Sequence, residues 1–362
     1  RVAVAAAPGR PPEWQRLCWM LVGGGLFALM YFLPGLPDAT DPGGRIVSLT
    51  PEGRMALGLF LLAATWWVFE VLPIGVTAIA IAVLQALFQI RSARDAFTDF
   101  MDPAVWFIIG SVIIGMVFTK TGLTNRLAYR MLTIVGERTS RIYLGAFVLT
   151  SAMTLLMAHT AVAAAVYPLL MTIYALYEED SRPTRFGKGL FIGMAFTAGA
   201  GSIITLLGAP RAGVAIGFYR QLVGREVDFF ELTYYLFPIG ALMVLLLWVY
   251  ILLVFRPEQA VIAGLRDRAR RLHARLGPMK RSEIIGLGIT MLAVGLMSAR
   301  SYVPAFEYLD KSAIIAGSTV LFFVFRILAR DDLEALPWNI VLLFGGAMSL
   351  GLCLWQTGAA EW

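Results

Sequence analysis

The first residues that could do chemistry are Ala158-His159-Thr160, in the middle of a 36-residue run without a charge, Ile142–Tyr177. Histidine is the side chain whose charge ordinarily changes between about pH 5 and 8. A histidine in such apolar surroundings is either a neutral, hydrogen-bonded core residue or a proton-linked contact for a ligand. The sequence leaves both interpretations open.

A second group lies in the segment Gly199–Gly213, where Gly208-Ala209-Pro210 interrupts an apolar run. Because proline lacks an N–H and clashes with the preceding turn, the segment predicts a helix that breaks near Gly208–Pro210 and restarts after it. A restarted helix has free N–H groups, and a second such end is expected near Thr160. Two helix N-termini that meet would form an anion site, since their N–H groups and positive dipole ends converge.

Arg211 directly follows this proline. An arginine inside a membrane span is energetically costly, so the default interpretation is a functional role or a defined partner. In that case Arg211 faces a central cavity and adds positive charge beside a bound anion. The alternative is an arginine near a helix end that snorkels to the interface.

The composition sets the class of protein that must position these residues. Hydrophobic residues make up 59% of the chain and charged residues 15%, with a mean hydropathy of +0.74, against about 45–50% and 25% in soluble domains. We therefore expect an all-α polytopic membrane protein. The net charge of +6 is distributed between apolar runs, so no nucleic-acid partner is expected. Cys18 and Cys353 lie far apart in apolar runs and indicate neither a disulfide framework nor a metal site.

The uncharged run Ile142–Tyr177 has an unusual length for a membrane segment. One span needs about 20 residues, and two spans with a turn need more than about 40. The run therefore predicts a re-entrant helical hairpin, whose tip Ala158-His159-Thr160 lines a polar cavity inside the membrane. The alternative is one long tilted helix followed by an interfacial piece, although Pro168 and the polar tip favour a break.

The positions of lysine and arginine predict the topology. With a cytoplasmic N-terminus and a hairpin that does not cross, most basic residues fall in cytoplasmic loops, as the positive-inside rule requires. We expect the inner (cell) membrane as the location. The predicted organisation is a cytoplasmic tail (1–14), scaffold helices of a first repeat (15–137), transport-domain elements (138–222, with the hairpin at 142–177 and the broken helix at 186–220), a last helix (223–255), an amphipathic cytoplasmic linker (256–282) and the start of a second repeat (283–362).

An internal repeat supports this organisation. The pattern of Val105, Gly110 and Gly115 recurs as Val341, Gly346 and Gly351 in the same apolar rhythm. The predicted topology runs the two copies in opposite directions, which is the inverted repeat common among secondary transporters. The same offset places the second hairpin tip and the second helix break beyond Trp362, so the fold is expected to be C-terminally incomplete.

The linker between the repeats, residues 256–281, contains eight basic residues and apolar residues at helical spacing. This pattern predicts an amphipathic helix on the cytoplasmic surface. A simple connector is one interpretation of the linker, and a calmodulin-type target or a lipid sensor is another. The apolar positions are Val261, Ile262, Leu265, Leu272 and Leu276.

The segment Thr65-Trp66-Trp67-Val68-Phe69-Glu70-Val71-Leu72-Pro73-Ile74-Gly75-Val76-Thr77-Ala78 resembles the Trp-Trp, Glu and Pro signature of the divalent anion/sodium symporter family. Lys120-Thr121-Gly122-Leu123 resembles the end of that family's next helix, and Gly201–Pro210 resembles its broken-helix motif. The resemblance covers about residues 50–362. It implies a transporter of dicarboxylates, citrate or sulfate, with an elevator mechanism and a homodimeric scaffold.

The resemblance also implies site residues. Thr160 would contact a substrate carboxylate, and Thr154 and Gly208 would stand for a cation-binding hydroxyl and carbonyl. The chain departs from the family's Ser-Asn-Thr tip and from its Thr/Ser-Pro-Pro-Asn break. Because these departures remove oxygen ligands that Na⁺ needs and add a histidine and an arginine, the coupling ion is Na⁺ or, alternatively, H⁺. The expected substrate contacts are His159, Thr160, Gly208, Ala209, Pro210 and Arg211, and the expected cation contacts are Thr154, Ala158, His159 and Gly208.

Three classes of function remain open from the sequence. The first is an anion transporter with an altered first cation site and no other cofactor, and the second is a non-transporting sensor or regulatory protein on the same fold. The third, a cation/proton antiporter, is disfavoured because the apolar runs contain almost no acidic residues. An embedded enzyme is not expected, since no nucleophile–base pair or metal-ligand cluster stands out.

Overall fold

The computed structural model describes residues 12–40, 44, 46–178, 183–225, 227–306 and 308–362. Within these ranges, the side chains of Pro210, Arg211, Val214, Gln221, Leu222 and Pro304 are outside the described part. The fold is almost entirely helical, with one two-stranded antiparallel pair, β1 (Ala39–Thr40) and β2 (Ile46–Val47).

The helices follow the apolar runs of the sequence closely. Short 3₁₀ turns at Asp99–Met101 and Pro304–Phe306 complete the helical structure. The helices are α1 (Glu13–Phe32), α2 (Pro51–Val68), α3 (Ile74–Leu87), α4 (Ala93–Thr98), α5 (Pro103–Thr121), α6 (Leu123–Val135), α7 (Thr139–Thr154), α8 (His159–Tyr177), α9 (Arg185–Ser202), α10 (Pro210–Val223), α11 (Phe229–Val254), α12 (Leu265–Arg275), α13 (Arg281–Ala299), α14 (Lys311–Val324), α15 (Arg330–Glu334) and α16 (Trp338–Gln356).

Several of these helices have the length and composition of membrane spans. Among the described residues, six helical segments are long and apolar enough to cross a bilayer, and α3 and α14 are shorter apolar helices. Helices satisfy their own backbone hydrogen bonds, which hydrocarbon requires of any spanning segment. The expected all-α, polytopic membrane architecture is confirmed. The six segments are Glu13–Phe32, Ala93–Thr121, His159–Tyr177, Phe229–Val254, Arg281–Ala299 and Trp338–Gln356.

The chain divides into two compact units, and the first comprises Arg1–Val105 and Pro337–Trp362. Here α1 packs on α2, and α3 packs on α16. A β-carbon at Gly346 would lie 2.5 Å from the Cβ of Ala78. Small residues at this contact therefore let α3 and α16 approach at backbone distance, as is common in membrane helix pairs.

A buried polar network joins the elements of this first unit. The guanidinium of Arg91 donates from Nη1 to Asp99 Oδ2 at 2.7 Å and to Gln85 Oε1 at 3.2 Å, and from Nε to Gln356 Oε1 at 2.8 Å. Gln85 Nε2 in turn donates to Ser349 Oγ at 3.0 Å. Because a buried charge is costly without partners, this network holds the segment after α3 against α16.

The second unit is Trp106–Leu336, and α9 lies at its centre. Helix α9 contacts α7, α8 and α11, and its glycines admit aromatic rings against its backbone. A β-carbon at Gly193 would lie 2.1 Å from Cζ of Phe147, and one at Gly189 would lie 2.5 Å from the Tyr143 hydroxyl. This tight packing fixes α9 relative to α7.

The predicted hairpin is two helices, so the alternative of one long helix is wrong. Helix α7 ends at Thr154 and α8 begins at His159, whereas Pro168 lies inside α8 and does not end it. The break therefore falls at the polar tip rather than at the proline. Helices α5 and α16, which carry the two copies of the repeat, have 19 residues each. Their opposite orientation in a membrane stays a prediction.

The linker between the predicted repeats is less helical than its pattern indicates. Helix α12 covers only Leu265–Arg275, and the residues before it form bends, a turn and an isolated bridge between Val261 and Arg138. At this bridge the N–H of Ile262 donates to Glu137 O at 2.9 Å, and the N–H of Thr139 donates to Ala260 O at 3.0 Å. The backbone pairing replaces the first predicted helical turns, and the apolar side of α12 packs on α6.

Candidate functional site

The hairpin tip is the short connection between α7 and α8, residues 155–158. The N–H groups of Leu155 and Leu156 bond to Ala152 O and Met153 O as α7 ends. Ala158 then takes an extended conformation (φ −55°, ψ 135°) and precedes the first residue of α8, His159. The tip therefore separates two helices and places a new helix N-terminus at the buried residue Ala158 in the second unit.

The second irregular segment separates α9 from α10 and covers residues 203–209. Ala209 is extended (φ −123°, ψ 96°), and Pro210 occupies the first position of α10. Proline favours an extended residue before it and suits the first position of a helix, where no N–H partner exists. The predicted restart after Pro210 is therefore observed, and the interruption begins earlier than predicted, at Ile203.

The tip and this break meet at one backbone carbonyl. The backbone N–H of His159 donates to Gly208 O at 3.0 Å, and His159 Nδ1 lies 3.0 Å from the same oxygen. Since a carbonyl can only accept, Nδ1 carries a proton, and Nε2 is the ring nitrogen left for another ligand or proton. A carbonyl oxygen has two lone pairs. His159 occupies both lone pairs of the Gly208 oxygen, one with its backbone N–H and one with its ring Nδ1–H.

The side chain of Thr205 also joins the hairpin tip to the break. Its buried hydroxyl donates to Leu155 O at 3.1 Å and accepts from the N–H of Gly208 at 3.3 Å. One side chain thus bonds both the tip and the break. The sequence did not single out Thr205, because threonines are common in membrane helices and both partners lie elsewhere in the chain.

Two glycines allow the hairpin tip and the break to lie this close to each other. A β-carbon at Gly208 would lie 2.4 Å from Thr154 O and 2.7 Å from Ser202 O. One at Gly201 would lie 2.5 Å from Ser151 Oγ. These distances are far below van der Waals contact with backbone atoms, so any side chain at Gly208 must push the tip away from the break.

Helix α5 also contacts the junction, by which we mean the place where the hairpin tip (residues 155–158) meets the break (residues 203–209). The Ser111 hydroxyl is fully buried and donates to Leu207 O at 2.6 Å. One turn further along, a β-carbon at Gly115 would lie 2.6 Å from the Cβ of Ala161 in the first turn of α8. Ser111 and Gly115 therefore position the break and the tip. No pattern in the sequence had singled out Ser111.

The structure brings most of the predicted site residues together. Thr154, Ala158 and Ala209 are buried, whereas Thr160 is exposed in the first turn of α8. The Thr154 hydroxyl donates to Ser151 O at 2.7 Å. The backbone of Pro210 and Arg211 forms the first turn of α10. The predicted role of the Arg211 side chain falls outside the described residues.

The junction has the chemistry of an anion site. Two helices of 19 and 14 residues, α8 and α10, begin near each other, because the N–H of His159 bonds to Gly208 O two residues before Pro210. The first N–H groups of a helix lack intrahelical acceptors, and the helix dipole adds positive potential there. Neither 142–177 nor 186–213 contains an aspartate or glutamate. An anion would therefore meet donors and positive potential without a competing carboxylate on these segments.

The same junction offers little to a hard cation in this conformation. Sodium needs several oxygen ligands with free lone pairs, and Gly208 O already accepts two hydrogen bonds. Ala158 supplies no side-chain oxygen. Among the described residues, no group of three His, Cys, Asp or Glu side chains could hold a metal ion. The hydroxyl of Thr154 is the one side-chain oxygen among the predicted cation contacts Thr154, Ala158, His159 and Gly208.

Comparison with known proteins identifies related sequences. The model of the family described as "Sodium:sulfate symporter transmembrane region" matches residues 45–362. A sodium-dependent dicarboxylate transporter of Staphylococcus saprophyticus is 24% identical over 338 residues, which cover 87% of this chain and 65% of that protein. Proteins of the same name from two Staphylococcus aureus strains, bovine RF122 and NCTC 8325, are each 25% identical over 334 residues, or 86% of this chain and 64% of theirs. The chain thus spans under two thirds of the length of these relatives.

Proposed function

Since this chain belongs to the sodium:sulfate symporter family, a family of membrane transporters rather than enzymes, we propose that it serves secondary active transport of small divalent anions. The proposed substrates are of the dicarboxylate, citrate or sulfate class. The names of the matched relatives support a dicarboxylate, and the description of the family supports sulfate. The observation that carries the proposal is the junction of tip and break at Gly208 O, where two helix N-termini meet.

In this proposal the anion lies against the first turns of α8 and α10. Thr160 is exposed there and can donate its hydroxyl to a carboxylate or sulfate oxygen. Free N–H groups of both helices add donors, and charge-assisted bonds of this kind are shorter and stronger than neutral ones. The proposed contacts are His159, Thr160, Gly208, Ala209, Pro210 and Arg211.

We further propose that His159 replaces the first sodium site. Its backbone and ring N–H groups occupy the Gly208 carbonyl that the family resemblance assigns to a cation. Protonation at Nε2 would add a positive charge beside the anion without disturbing the Nδ1–H bond. The substrate would then move with a proton at this half-site, rather than with the sodium ion of the relatives.

The larger-scale features of the proposal rest on the family. They are an elevator mechanism, in which hairpin and broken helix move as one body against a homodimeric scaffold, and an inner-membrane location with a cytoplasmic N-terminus. The bonds from Thr205 and His159 support the first of these. They make tip and break one rigid assembly that could carry a bound anion without losing its geometry.

A sensor or regulatory protein on the same fold is the second candidate. The observation in its favour is the filled Gly208 carbonyl, because a junction closed by its own hydrogen bonds could bind an anion without coupling it to sodium. Such a protein would bind the anion and fail to move it. Uptake and binding must therefore be measured on the same preparation.

The testing experiment is a screen of the purified protein with succinate, citrate and sulfate by thermal shift, followed by uptake into proteoliposomes. We expect stabilisation by at least one divalent anion. Thr160→Val should weaken this binding by about tenfold, the scale of one lost hydrogen bond to a charged group. Thr172→Val on the same helix, whose hydroxyl bonds to Pro168 O, is the matched control. Absence of stabilisation by every divalent anion would refute the proposal, and binding without uptake would favour the sensor.

A further inference from the structure

Helix α12 carries a cationic surface that the proposed anion site does not use. Its sequence, Leu265–Arg275, holds five arginines and one acidic residue, Asp267. All five arginines are exposed. This arginine face consists of Arg266, Arg268, Arg270, Arg271 and Arg275.

The opposite side of α12 is covered by the protein. Leu265 is 2% exposed and Ala269 is 1% exposed, and the helix packs on α6. At its start, the N–H of Arg266 donates to Glu137 Oε1 at 3.3 Å. Shortly after its end, Arg126 Nη1 donates to Gly277 O at 2.9 Å. These contacts fix the rotation of α12, so that the arginine face points away from the second unit.

Within the described residues, most of the charge on the arginine face has no internal partner. Arg270 Nη1 lies 3.8 Å from Asp267 Oδ1, in a pair whose side chains are both more than half exposed. Arg266, Arg268 and Arg271 have no ion-pair partner in the part of the chain that the structure describes. Exposed pairs such as Arg270–Asp267 are weak, so the face keeps most of its positive charge for an external partner.

The flanking helices set where this face lies. Helices α11 and α13 are both long and apolar enough to span a bilayer, and the linker joins the end of one to the start of the other. Since Val254 and Arg281 then lie at the same bilayer surface, α12 is held close to that surface. Anionic headgroups attract juxtamembrane basic residues, and the tether makes their effective concentration high.

We propose that the arginine face binds the phosphate headgroups of anionic lipids at this membrane surface. Guanidinium groups suit the partner, because their planar fork bonds two phosphate oxygens at once and sheds water more readily than an ammonium group. An acidic protein segment offers the same sign of charge. The lipid is favoured because both flanking spans bring the helix to the headgroups.

The test measures lipid preference on the full chain in nonionic detergent. Phosphatidylglycerol and phosphatidylcholine are titrated separately, and adducts are counted by native mass spectrometry. The wild type should bind phosphatidylglycerol more tightly, with a preference that falls as salt is raised. The triple variant Arg266→Gln, Arg268→Gln and Arg271→Gln should reduce this preference by at least about tenfold, since each basic residue near the surface contributes severalfold and the three factors multiply.

The matched control also removes three positive charges, but outside the arginine face, by Arg94→Gln, Arg220→Gln and Arg225→Gln. This control should keep the preference for phosphatidylglycerol. Equal loss in both variants would overturn the proposal, as would a wild type without a preference.

A second measurement avoids any folding defect of the variants. Hydrogen exchange of wild-type residues 265–275 should slow with phosphatidylglycerol and not with phosphatidylcholine. Slowing by polyglutamate alone would assign the face to an acidic protein and contradict the proposal.

Discussion

The guanidinium of Arg91 is a buried charge that is stabilised by several polar partners. Its side chain is 5% exposed, and its ion pair with Asp99 is reinforced by Gln85 and Gln356. Arg91→Ala leaves the Asp99 carboxylate, which is 12% exposed, without this counter-charge. Breaking a buried pair in this way costs about 3–5 kcal/mol. We expect the thermal unfolding midpoint in detergent to fall by roughly 10 °C.

Arg94→Ala is the control for this prediction, because Arg94 lies three positions away and is exposed. Surface substitutions of this kind change stability by about 0.5 kcal/mol or less. Equal unfolding midpoints for the Arg91 and Arg94 variants would show that the Arg91 network does not stabilise the first unit.

At this scale the sequence predicted the residues whose types are rare in apolar runs. His159 and the Gly208–Pro210 break stand out for that reason, and the structure brings them into contact. Ser111 and Thr205 could not be predicted, because hydroxyls are common in membrane helices. Their acceptors, Leu207 O and Leu155 O, are brought to them only by the tertiary fold.

At the scale of elements, the contact between hairpin tip and helix break should fail when Gly208 gains a methyl group. A β-carbon there would lie 2.4 Å from Thr154 O. Gly208→Ala should therefore separate the tip from the break and reduce anion binding at least tenfold in titration calorimetry. Gly199→Ala is the control, since a β-carbon at Gly199 meets nothing within 4 Å. Unchanged binding in Gly208→Ala would place the anion elsewhere.

Glu258 provides a second test at this scale, because it joins the linker to the start of α9. Its carboxylate accepts from the N–H groups of Arg185 at 2.6 Å and Phe186 at 3.2 Å, and from the Tyr177 hydroxyl at 2.9 Å. Burial alone would raise the pKa of Glu258, but these hydrogen bonds outweigh it and lower the pKa. The stabilisation is present above the usual glutamate pKa of about 4.3 and is lost as the pH falls through the lowered value.

Glu258→Gln should therefore speed hydrogen exchange of residues 185–187 at pH 7, and the difference from wild type should shrink below about pH 4. Glu334→Gln is the control, because Glu334 is 62% exposed and forms a surface ion pair with its helix neighbour Arg330. A difference between Glu258→Gln and wild type that persists undiminished in acid would contradict the role of the carboxylate charge.

Most helices were predictable because a membrane span needs a long apolar run, and such runs are visible directly. Helix α6 was missed, since Leu123–Val135 is amphipathic and carries Arg126 and Arg130. Helix α12 was predicted too long, because backbone pairing with residues 137–139 competes with its first turns. The α12 difference comes from tertiary contacts that single-sequence periodicity does not contain, whereas α6 was missed because it has no long apolar run.

At the scale of the whole molecule, the central claim is that the tip–break junction binds a divalent anion and that His159 has replaced the first sodium site. The most direct test is titration calorimetry with the anion that stabilises the protein best. Binding is measured at pH 5.5, 6.5 and 7.5, with Na⁺ and with choline in its place. His159→Asn is compared with His273→Asn, which alters the chain's other histidine, on α12.

The wild type and His273→Asn should bind equally in Na⁺ and choline, and more tightly toward pH 5.5, because an imidazolium attracts the anion. His159→Asn should lose this pH dependence. A strict sodium requirement with a flat pH profile, unchanged in His159→Asn, would contradict the account.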